Sequence, residues 1–218
     1  PPWHFEIDSA VRLLCSQFKT KDLSAFGCDD FPRGVAAAGA LLQYVSDMQK
    51  MALPHLQSIN VQRSDDTVIM DAPTRRNLEL EESLNDHREH TLAGVMDRCR
   101  SPMGSRLLRR WLQRPLRDKD VLQGRYQAIE AVTLGRLTGT LQDQLAGIGD
   151  IERILSRVAL RSARPRDLRQ LLVALEHIPE LRKTIEQTIS PLLESLRGQI
   201  DKHTRQRELL KKALVDNP

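Results

Sequence analysis

The sequence predicts a mainly α fold, a bundle of many helices with one short β-hairpin, and three observations predict it. Through most of the 218 residues, apolar side chains return every three or four positions, the spacing that builds one face of a helix. Only one region departs from that period: SINVQR (58–63) and TVIMD (67–71) alternate or run in β-branched residues around the polar SDDT, the pattern of a hairpin. Hydrophobic residues make up 40% of the chain and charged residues 28%, which supplies a buried core and excludes a disordered tail.

The elements follow in order. In DSAVRLLCSQFK, Asp8 is the expected N-cap, and Val11, Leu14, Cys15 and Phe18 form one apolar stripe. SAFGCDD breaks the pattern with Gly27 and paired aspartates. FPRGVAAAGALLQYVSDMQK predicts a second helix whose small residues admit a close neighbour, with Ala37, Leu41, Tyr44 and Val45 expected to face it. After the hairpin, DAPTRRNLELEESL opens on a capping aspartate and an early proline and sets Leu78 near Leu84. HTLAGVMDRC places Leu92, Val95, Met96 and Cys99 at i, i+3, i+4 and i+7, an amphipathic helix. RSPMGSRLLRRWLQRPL has Ser101 as cap, Pro102 in the first turn and Pro115 as terminator. Further helices are expected in VLQGRYQAIEAV, DIERILSRVAL, RDLRQLLVALEHI, PELRKTIEQTI, PLLESLRGQI and RELLKKALV, broken by proline, glycine or polar clusters. No fixed-length internal repeat is visible.

The net charge of +4 permits contact with a polyanion, but 29 acidic residues interleave with 33 basic ones, against a dedicated nucleic-acid arm. Cys15, Cys28 and Cys99 lack metal-ligand spacing and disulfide density, so a reducing cytoplasm is the expected compartment. The longest apolar run, Gly34 to Leu42, is well short of the roughly 20 residues that a membrane span needs. The start at Pro1 and the end at DNP suggest a piece of something longer. No catalytic constellation is found: there is no GxxxxGK[ST], GxGxxG or GxSxG. His87 and His90 lack a third metal ligand, Asp65 and Asp66 suit a turn, and Glu81 and Glu82 suit a solvated face.

The arginine helix leaves two readings open. Met103, Leu107 and Trp111, with Leu108 and Leu112, form a wide stripe expected to be buried. The other face holds Arg106, Arg109, Arg110 and Gln113. With HTLAGVMDRC before it, the segment could be a helix-turn-helix that reads DNA. The favoured reading is a packed helix with a charged outer face, because no second basic cluster flanks it and Asp97 and Asp118 lie close in sequence.

Longer phrases resemble one family throughout. FPRGVAAAGALLQYVSDMQKMALPHL, MDAPTRRNLEL, TLAGVMDRCRSPMGSRLLRRWLQRPLRD and DIERILSRVALRSARPRDL are similar, in register, to the MutS family of DNA mismatch-recognition ATPases. The residues carrying the likeness are Asp71, Arg75, Arg76, Asn77 and Leu78; Pro102, Met103, Gly104, Arg106, Leu107, Trp111, Leu112 and Pro115; and Asp150, Glu152, Arg153, Arg157, Ala163, Arg164 and Pro165. The likeness implies that residues 1–50 are the C-terminal part of an α/β connector domain and 51–218 the first half of the core or lever domain. The clamp and the ATPase would then lie outside, so no catalytic, cofactor or metal residue carries over. Its implied role is transmission between an ATPase that uses ATP and Mg2+ and a clamp on mismatched duplex DNA, in a homodimer whose connector meets MutL. A free-standing helical DNA-binding regulator and a helical protein-interaction scaffold are the alternatives from other classes. Cys99 stands where the family often has threonine, and Arg98 and Arg100 make that turn more basic.

Overall fold

The computed structural model of the chain describes residues 5–50, 53–61, 66–85 and 87–214. These fold into eleven α-helices, with 310 turns at Ser24–Phe26 and Arg88–His90, and divide into two compact units. One unit comprises Pro1–Arg63 with Ser156–Ser162, the other Ser64–Leu155 with Ala163–Pro218.

The first unit is built on α1 (Ile7–Phe18) packed on α2 (Pro32–Gln49). Glu6 stands at the N-cap of α1, and the expected cap Asp8 lies inside the first turn, where a carboxylate still suits the positive end of the helix dipole. Ala10 and Leu14 are buried with Leu23, Cys28, Val35, Leu42 and Leu53. The α2 face predicted to pack is not the one that packs. Leu41 and Tyr44 are 63% and 62% exposed and Ala37 is exposed as well; Val35, Gly39 and Leu42 are buried, with Val45 beside them. Gly39 decides the face: a Cβ there would lie 2.4 Å from the Cβ of Ala10, so the helices approach closely where this glycine leaves room. The Gln17 side-chain amide donates to the carbonyls of Leu53 (2.7 Å) and Leu56 (2.9 Å), anchoring the strand-like tail.

No β-hairpin is present among the described residues. Ile59 and Val61, the β-branched residues of SINVQR, are partly buried against the α1/α2 core in a stretch without regular secondary structure. Asp65, at the expected turn, lies outside the described residues. TVIMD contributes a single antiparallel bridge, Thr67 to Leu116. Val68 N–H donates to the Pro115 carbonyl at 2.8 Å, and Arg117 N–H to the Asp66 carbonyl at 3.0 Å. Among the described residues the two runs do not pair with each other, and the second bonds instead to the segment that Pro115 forces out of the helical region.

The second unit is organised around α9 (Pro165–Glu186), against which α7 (Thr138–Ala146), α10 (Pro191–Gln199) and α11 (Thr204–Ala213) pack. Two helices were expected here, meeting at Pro179; instead one 22-residue helix runs through it. An interior proline costs about 3 kcal/mol in propensity and a hydrogen bond. The stripe Leu171, Leu172, Ala174, Leu175, Ile178, Leu181 and Ile185 stays buried and in register across Pro179, and that burial exceeds the local cost. α7 was not foreseen: TGTLQDQLA reads as polar, yet Leu141 and Leu145 pack on the core formed by Ile148, Ala174, Leu181 and Ile185. Ile154, on α8 (Ile151–Ala159), joins Leu171, Leu175 and Ile178 in a second cluster.

The run from Asp71 to Met96 is less helical than its periodicity predicts. Asp71 does cap α3 (Ala72–Asn77), accepting from Thr74 N–H at 2.8 Å, but the helix stops there; Leu78 and Leu84 are exposed and Leu80 is the buried residue. α4 (Leu92–Met96) is a little over one turn, capped by Thr91. Its expected stripe of Leu92, Val95 and Met96 is exposed, as is Cys99 beyond its end; Thr91 and Ala93 are buried instead. The backbone explains the reversal. Leu92 and Ala93 N–H donate to the carbonyls of Glu79 and Leu80, both at 2.9 Å, which turns the opposite face inward.

Candidate functional site

The segment that holds most of the signature residues is α5 (Pro102–Gln113) with the elements around it. Ser101 caps it by accepting from Gly104 N–H at 3.2 Å, and Pro102 opens its first turn. Gly104 sits against Cys99, since an added Cβ would lie 3.3 Å from the Cys99 Cβ. The turn before α5 is fixed by Asp97, which accepts from Cys99 N–H (3.2 Å) and from the Ser105 hydroxyl (3.0 Å). Burial works against the charged form of Asp97, but these hydrogen bonds outweigh it and hold the carboxyl below its usual value.

The stripe of α5 is only partly covered. No residue of the helix is buried, Leu107 is exposed, and Trp111 is 40% exposed. Met103 packs against the α7/α9 core. The Arg125 guanidinium, on α6 (Lys119–Leu134), lies 3.7 Å over the Trp111 ring, a cation–π contact that covers one side of it. Leu112 is half-buried.

The arginine face is where the structure is most specific. Arg106 donates a bidentate pair of hydrogen bonds to Asp150, both 2.7 Å, and a third at 2.6 Å to Glu152. Asp150 also accepts from Arg153 N–H at 3.3 Å and pairs with the Arg153 guanidinium at 3.5 Å. The fork of Arg106 is the main cause holding the Asp150 carboxyl below its ordinary range, and the two carboxylates push the Arg106 pKa up. Arg109 lies 3.7 Å from Asp97 and 4.0 Å from Glu81, while the Gln113 amide donates to Glu81. Arg110 is exposed.

Signature residues thus separate into groups. Arg106, Asp150, Glu152 and Arg153 come together at the start of α8. Asp71 caps α3, which carries Arg75, Arg76 and Asn77, and Leu78 follows it. The Arg157 carbonyl accepts from Ser162 N–H at 2.9 Å, Ala163 lies in the connection, Arg164 N–H donates to Asp167 at 3.0 Å, and Pro165 is the first residue of α9. Sequence periodicity could not find the Arg106–Asp150 junction, whose partners are 44 positions apart, nor the Trp111–Arg125 stack. His87 pairs with Glu89 at 3.1 Å, and its ring centroid is 5.1 Å from that of His90. Among the described residues no group of three or more metal-ligating side chains is placed to hold an ion, and no helix is long and apolar enough to cross a membrane.

Charged side chains join several segments of the chain, Arg106 to Asp150 and Glu152 among them. Its family is given by direct comparison: residues 1–57 match the model of MutS domain II and residues 73–218 match that of MutS domain III. The chain belongs to the MutS family of mismatch repair proteins.

Proposed function

We propose that this chain is a transmission segment of an ATP-dependent mismatch sensor, linking an ATPase to a DNA clamp through packed helices. In this reading residues 1–50 end the connector and 51–218 form the first half of the lever. ATP, Mg2+ and mismatched duplex DNA act on other domains of the protein, which works as a homodimer and meets MutL through its connector. The observation that carries the reading is the arginine face of α5. Arg106 gives three hydrogen bonds to Asp150 and Glu152, and Arg109 stands between Asp97 and Glu81. A helix that reads DNA keeps its arginines available for base edges and phosphates. Here two of the three are engaged inside the fold.

The test is a DNA titration of the 218-residue chain and of Arg106, Arg109 and Arg110 alanine variants, with folding checked by circular dichroism. Weak binding is expected, blind to a mismatch and little changed by Arg110→Ala. Tight binding that Arg110→Ala abolishes, together with a steeply reduced salt slope in a folded variant, would favour the DNA-binding regulator.

A further inference from the structure

Beyond this role, we propose that the second unit holds an anion site, a cleft between α3, the loop after it and α5 that binds a phosphate group. The cleft is a cavity of about 570 Å3, within the range of ligand pockets, and three arginines from three different elements line it: Arg76, Arg88 and Arg109. A smaller cavity of about 300 Å3 shares the Arg76 wall and adds Arg75. Four arginines and two carboxylates, Glu81 and Glu82, line the two cavities, and Asp97 lies beside Arg109.

Arg109 already stands between Asp97 and Glu81, so the charge left over in the cleft is that of Arg76 and Arg88. Glu81 accepts the Gln113 amide, and its 4.0 Å separation from Arg109 is too long for a hydrogen bond, as is the 3.7 Å from Arg109 to Asp97. Among the described residues neither Arg76 nor Arg88 makes an ion pair, and Glu82 pairs with none of the arginines. A planar guanidinium fork suits a tetrahedral oxyanion, to which it can give two hydrogen bonds. Among the described residues no aromatic ring lines the cavity, so the ligand chemistry proposed is the phosphate itself and not a stacked base. The source is either a free polyphosphate compound or a phosphodiester of nucleic acid.

The experiment is isothermal titration of the 218-residue chain with inorganic pyrophosphate at low salt, followed by competition with a short DNA duplex. Saturable one-site binding is expected, weakened about tenfold or more by Arg76→Gln and by Arg88→Gln. Both side chains are exposed, so the variants keep the fold, which circular dichroism checks. Arg110→Gln and Arg153→Gln, outside the cleft, should leave affinity within about twofold. Displacement of pyrophosphate by the duplex assigns the site to nucleic-acid backbone; no displacement assigns it to a free phosphate compound. Absence of saturable binding, or equal weakening by all four substitutions, overturns the proposal, since the second outcome is only a loss of net charge. Loss of pyrophosphate binding leaves the transmission role untouched, because that role needs no ligand in this cleft.

Discussion

Asp150 takes two hydrogen bonds from one guanidinium, and its carboxyl is held below the ordinary carboxylate value of about 3.9 mainly by that contact. A carboxyl depressed in the folded state stabilises it fully above the unfolded value and loses that contribution as pH falls through the folded one. The stability difference between the native chain and Asp150→Asn should be level from pH 5 to 8 and shrink below about pH 4, as followed by urea midpoints. Its size should be about 1 kcal/mol, since a part-exposed pair is screened by solvent. Gly39 is constrained by space, not charge. Gly39→Ala gains about 1 kcal/mol of helix propensity, yet its Cβ would fall 2.4 Å from that of Ala10. Both atoms belong to rigid helix backbones, so the substitution should destabilise the first unit by about 1 to 3 kcal/mol, measurable by thermal unfolding.

At the scale of elements, stability concentrates in α9 and not in the tryptophan helix that draws the eye in the sequence. Leu172 is 1% exposed whereas Trp111 is 40% exposed. Leu172→Ala should cost about 2 to 5 kcal/mol, and Trp111→Ala less than half of that, because much of the indole is already in water. Equal losses in denaturant melts would contradict this ranking. The same contrast explains how far the sequence was legible. Caps and terminators are mostly local, so Asp71, Ser101, Pro102 and Pro115 stand where the sequence puts them, whereas α1 has Glu6 at its N-cap and takes the expected cap Asp8 into its first turn. Which face of a helix meets a neighbour is not local. On α2 a single glycine chose the face over Leu41 and Tyr44, and on α4 two backbone hydrogen bonds to the chain at Glu79 and Leu80 turned the apolar stripe outward. Pro179 misled for the same reason, its local cost being overridden by a buried stripe that spans it. The hairpin failed because β-branched residues specify extended chain without specifying a partner, and Val68 found the carbonyl of Pro115. The site was half legible: the arginine face of α5 and the nearby Asp97 showed in the sequence, and Asp150 and Glu152, 44 and 46 positions from Arg106, did not show as its partners.

For the whole molecule, the question is what a junction between helices does when neither end of it touches a ligand. On the proposed reading, the longer protein passes nucleotide state to the DNA clamp through joints such as Arg106 with Asp150 and Glu152. Such a joint changes the coupling free energy between two sites and leaves each site's own affinity in place. Arg106→Met and Asp150→Asn, introduced singly and together into a MutS protein carrying all its domains, should leave mismatch binding and basal ATP hydrolysis near native levels. The nucleotide-dependent shift in DNA affinity should fall by about 0.5 to 2 kcal/mol, roughly two- to thirtyfold. Because the two side chains share one contact, the double variant should cost less than the sum of the singles, as a double-mutant cycle on that shift would report. An unchanged shift in all three variants would mean that the junction only stabilises the fold. A parallel loss of DNA affinity and ATP hydrolysis would mean that the substitutions damage the sites themselves, and the transmission role would have to be sought in other helices.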